Sequence, residues 1–196
     1  MPKKPIVAWI VSLLGHEFDL ENLLHFLTGS AEHVSKRDDG YYLILPTSSV
    51  SGMKSADIRN QAAEKLALIN GASSLICPSF KPVAIGNTLY GIDDESRIVN
   101  TVLAIDGIEL RTKLGPVTAS VNGIIQPDAS DGAVVPFLQT ANASTAAANA
   151  LAIVGRSNPT WSELYLVFEL IEANCGNRMY QCDWIQKPQA TLFTRT

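Results

Sequence analysis

His16 and Glu17 form the chain's most suggestive chemical pairing. A His-Glu dipeptide opens the helical zinc motif H-E-x-x-H, where two histidines four apart share one face. Position 20 is Leu20, so the second ligand is missing. His25 and His33 fall on other predicted elements, and no metal site is expected. The phosphate loops GxxxxGK[ST] and GxGxxG are absent, as is the nucleophile elbow GxSxG. Cys77 stands among apolar neighbours in Leu75-Ile76-Cys77-Pro78-Ser79, where burial keeps a thiol protonated and inert. Asp93-Asp94-Glu95 reads as a solvated hairpin turn, with a cation loop as the sharper alternative. No cofactor is implied.

The remaining candidates are dispersed. His16 and Glu17 lie where a first strand feeds its helix. Arg156 lies in the link between two C-terminal helices. Tyr165, Glu169 and Glu172, with Ser162, form the polar stripe of an otherwise apolar helix. If that helical pair packs over the end of a sheet, these side chains converge on a cleft able to hold a small ligand. The plainer reading gives them capping and surface roles.

The helix that carries the stripe organises the C-terminal part. It is expected over Asn158–Gly176, with Thr160 and Glu163 spaced as a capping box and Gly176 placed to stop it. At about 100° per residue, Trp161, Leu164, Phe168, Ile171 and Cys175 share one face. Leu166, Val167 and Leu170 broaden it, which predicts burial of Trp161 and Phe168. The preceding helix, over residues 136–154, is built from alanines that let a neighbour approach. Gly155 ends it, and the short link Arg156–Pro159 makes the two an antiparallel pair.

Upstream, residues 5–14 are rich in Val and Ile and read as a strand covered on both faces. With Lys3-Lys4 before it, the run imitates a signal peptide, but no small-x-small site follows. It is far shorter than the ~20 residues that span a bilayer. Phe18–Leu27 follows as a helix with Asp19 as its cap. A hairpin covers residues 32–46, turning at Asp38-Asp39-Gly40, and residues 46–52 read as loop. A helix spans Ala56–Asn70 with core stripe Ile58, Ala62, Leu66 and Ile69, and Gly71 lies past its end. Residues 82–125 read as an antiparallel meander. In it Leu89 lies opposite Val99, and Asp106-Gly107 makes a primed two-residue turn. The last stretch, Ala190–Thr196, alternates like an edge strand.

The expected class is therefore α+β: an antiparallel β-meander at about residues 82–125 with packed helices and a C-terminal helical pair. Residues 1–127 would form the sheet domain and 128–196 the helical part, with one compact unit as the alternative.

Composition narrows the function classes. The 196 residues are 46% hydrophobic and 17% charged, with net charge −4, pI about 5.3 and mean hydropathy +0.12. No basic run exceeds two residues, whereas nucleic-acid binders cluster basic side chains. Three cysteines without CxxC fit a reducing compartment, so a soluble, cytoplasmic protein is expected, with no membrane and no nucleic acid as partner. Two functions remain. The first is a non-enzymatic interaction or assembly module, bound to a protein partner or to itself. The alternative is a small-molecule-binding protein or enzyme with a cleft between the sheet and the helical pair.

Overall fold

The computed structural model describes residues 5–103 and 131–194. The strands are β1 (Ala8–Leu14), β2 (His33–Arg37), β3 (Gly40–Pro46), β4 (Ala84–Ile92) and β5 (Ile98–Leu103). The helices are α1 (Glu17–Phe26), α2 (Thr47–Val50), α3 (Ser55–Ile76), α4 (Val135–Ala143), α5 (Thr145–Val154), α6 (Trp161–Cys175), α7 (Arg178–Gln181) and α8 (Lys187–Thr194). The class is α+β. Two compact units are present: residues 1–66 with 83–135, which hold the sheet, and residues 67–82 with 136–196, which are helical. Helix α3 gives its first half to one and its second half to the other.

The sheet has the order β2-β3-β1-β4-β5, and every neighbouring pair is antiparallel. It follows that β1 and β2 run the same way around β3, with α1 as their crossover. Likewise β3 and β4 run the same way around β1, with α2 and α3 between them in sequence. Two split β-α-β units thus interlock, each filling the other's gap. The central place of β1 accounts for its composition. Trp9, Ile10 and Val11 are all buried, although neighbouring residues of a strand face opposite sides. Ile10, Tyr42 and Ile92 form a core cluster on one face. Val11 lies between Leu43 and Leu89 on the other. Leu20, Leu23 and Leu27 of the α1 segment and Ile58, Ala62 and Leu66 of α3 are buried, as their spacing predicts. Each such large side chain contributes roughly 1.5–3 kcal/mol by leaving water.

The hairpin β2–β3 turns at Asp38-Asp39 as expected, pairing Arg37 with Gly40. The hairpin β4–β5 has a different register: Leu89 lies opposite Val102, not Val99. Asp93 is the cause. Its carboxylate is 1% exposed and accepts the backbone N–H groups of Glu95 and Arg97 at 3.0 and 2.9 Å. It also takes two N–H groups of the Arg97 guanidinium. The turn is therefore closed between Asp93 and Arg97, one residue later than the sequence suggested, and a shift between Gly91 and Ile92 adds another residue. Asp93 is thus a buried turn organiser and not a solvated one. The expected Asp106-Gly107 turn and the strands beyond it lie outside the described residues.

Local chemistry moves several element ends. The cap of α1 is His16, whose Nδ1 accepts from Phe18 N–H at 3.3 Å; Asp19 is buried inside the helix. Residues 47–50 form a single helical turn where loop was expected. The alanine-rich stretch breaks at Ser144, whose backbone is extended and whose hydroxyl caps α5 by accepting from Ala147 N–H. Residues 187–194 are helical and not an edge strand: Gln189 caps the start by accepting from Gln186 N–H at 3.1 Å, and Pro188 sits in the first turn, where its missing N–H costs nothing.

In the helical unit α5 packs against α6. Gly71 does not end α3, which continues to Ile76. It marks a close crossing instead. A Cβ at Gly71 would lie 2.0 Å from the Leu151 carbonyl oxygen, and one at Gly155 would lie 2.3 Å from that of Ala67. Here glycine provides clearance between two helices, a use that its sequence position alone does not distinguish from a cap.

Candidate functional site

The six sequence candidates are distributed over both units. In the sheet unit, His16 caps α1 and Glu17 lies 3.7 Å from Lys36 Nζ. Lys36 also bonds Glu21 at 2.9 Å, and Tyr41 donates to the same carboxylate. Lys36 holds the Glu21 carboxyl below its ordinary range. This is an exposed ionic cluster at the start of a helix. In the helical unit, the Arg156 guanidinium donates to Glu163. Glu163 also closes the capping box of α6, accepting from Thr160 N–H at 2.7 Å while Thr160 Oγ1 accepts from Glu163 N–H. Arg156 therefore braces the beginning of α6.

Tyr165 and Glu172 do come together, along a groove of about 410 Å³ beside α6 that Phe168, Tyr180 and Lys187 also line. Tyr180 donates to Glu172 at 3.4 Å, and Lys187 Nζ stands 5.9 Å above the Tyr180 ring. The charge of Glu169, with burial and a hydrogen bond, raises the Tyr165 phenol above its usual value. Burial and Glu172 do the same for Tyr180. Both phenols stay protonated at neutral pH, so they act as donors and not as bases. A groove with two donor phenols, a lysine and a carboxylate can hold a polar group. Tyr180 and Lys187 were not legible as partners of α6, because they come from α7 and from the start of α8, neither of which was expected as a helix.

The faces of α6 itself carry the clearer signal. None of its fifteen residues is buried. Trp161, expected in the core, is 48% exposed, Leu166 46% and Ile171 40%; Phe168 is half-buried. Trp161, Leu164, Phe168, Ile171 and Cys175 follow one another at steps of three and four residues. That is the a/d spacing of a coiled-coil seam sustained over two heptads. Tyr165 and Glu172 occupy e positions beside it.

A separate cavity of about 380 Å³ lies in the sheet unit, under the first turns of α3. Its shape follows from an irregularity in β4. Between Val11 and Leu13 the register with β4 shifts by two residues. The Ser12 hydroxyl fills the gap, donating to Thr88 C=O at 3.2 Å and accepting from Thr88 N–H at 3.1 Å. Gly86 is required there, since a Cβ would stand 2.3 Å from Ser12 Oγ. The sequence offered no sign of this site: an isolated glycine in a strand marks a bulge, but nothing local says what the bulge borders.

Cys77, Cys175 and Cys182 are free thiols. Among the described residues, no three His, Cys, Asp or Glu side chains are grouped to hold a metal ion, and no helix is long and apolar enough to cross a membrane. Comparison with protein-family models, curated proteins and solved structures finds no match.

Proposed function

We propose that the chain is a non-enzymatic assembly module that pairs with a second copy of itself through α6. The carrying observation is that an apolar, capped helix of fifteen residues buries none of them. Exposed apolar surface on a soluble protein marks an interaction site. The a/d spacing of Trp161, Leu164, Phe168, Ile171 and Cys175 favours another helix as the partner. Tyr165, Glu169 and Glu172 would then stand beside or near the seam, where polar residues set orientation.

The remaining features agree with this reading. Free thiols favour a reducing, cytoplasmic setting. A net charge of −4 without a basic run disfavours nucleic acid as the partner. The test is sedimentation equilibrium over a hundredfold concentration range. The expected result is a monomer–dimer equilibrium; a strict monomer at every concentration removes the proposal.

A further inference from the structure

We draw no further inference here: the strongest candidate, the cavity of about 380 Å³ under the first turns of α3, carries nothing, because Arg59 and Asn87 on its polar side already have partners within the chain and its lining is given by the described residues alone.

Discussion

A Cβ added to Gly155 would fall 2.6 Å from the backbone nitrogen of Gly71. The helices α3 and α5 therefore meet backbone to backbone at these glycines. Two effects compete in Gly71→Ala. Alanine is better than glycine in a helix interior by about 1 kcal/mol. Against that, its methyl would overlap the Leu151 carbonyl, and backbone atoms yield only if a helix shifts. Overpacking typically costs about 1–3 kcal/mol, so the net change should be destabilising. Urea unfolding of Gly71→Ala and Gly155→Ala checks this, and a stabilised variant at either position contradicts the close crossing.

The capping box of α6 has a pH signature. Backbone and hydroxyl hydrogen bonds from Thr160, then the charge of Arg156, hold the Glu163 carboxyl below its ordinary value. A folded value below the unfolded one adds stability that is complete above about pH 4.3, the ordinary glutamate value. It is lost as pH falls through the lower folded value. Glu163→Gln keeps the shape without the charge. Its melting temperature should lie below that of the parent protein at pH 7, and the gap should narrow as pH falls below the ordinary glutamate value of about 4.3. A gap of constant size across that range would show that the carboxylate charge contributes nothing.

Ser12 and Gly86 should act as a unit. Ser12→Ala leaves the half-buried Thr88 N–H without its acceptor, a loss of about 1 kcal/mol. Gly86→Ala drives a methyl into the same hydroxyl. Removing the hydroxyl relieves that clash, so the double variant should be more stable than the sum of the single losses predicts, with a coupling of about 0.5 kcal/mol or more. Strict additivity in a chemical-denaturation cycle would mean that the two residues do not meet.

Much of the fold was legible because its signals are local. The Val/Ile run of β1, the stripe Ile58-Ala62-Leu66-Ile69, the turn at Asp38-Asp39 and the Thr160–Glu163 box each depend on residues a few positions apart. What escaped depends on distant partners. Gly71 looks like a helix stop, and only its meeting with Gly155, which does end α5, reveals a crossing. The β4–β5 register is governed by the buried Asp93 carboxylate, which the exposed Arg97 closes over, inside a turn that looked merely acidic. Residues 190–196 alternate like a strand, yet residues 187–194 are helical, with a proline in the first turn and the Gln189 cap. For the candidate groove, Tyr165 and Glu172 could be chosen as the polar stripe of an apolar helix, whereas Tyr180 and Lys187 required α7 and α8 to be placed. Periodicity correctly described α6 as apolar but misjudged its burial: a pattern shows which face seeks cover and not where the cover comes from.

Self-association through the α6 seam is tested most directly by two matched substitutions on that helix. Ile171→Glu places a charge on the seam, and Leu166→Glu places the same charge on another face. Both positions are exposed in the single chain, so neither change should unfold it. Sedimentation equilibrium at matched concentrations should show dimer for the parent and for Leu166→Glu, and monomer for Ile171→Glu. A parent that stays monomeric, or two variants that behave alike, contradicts the assignment of α6 as the pairing surface.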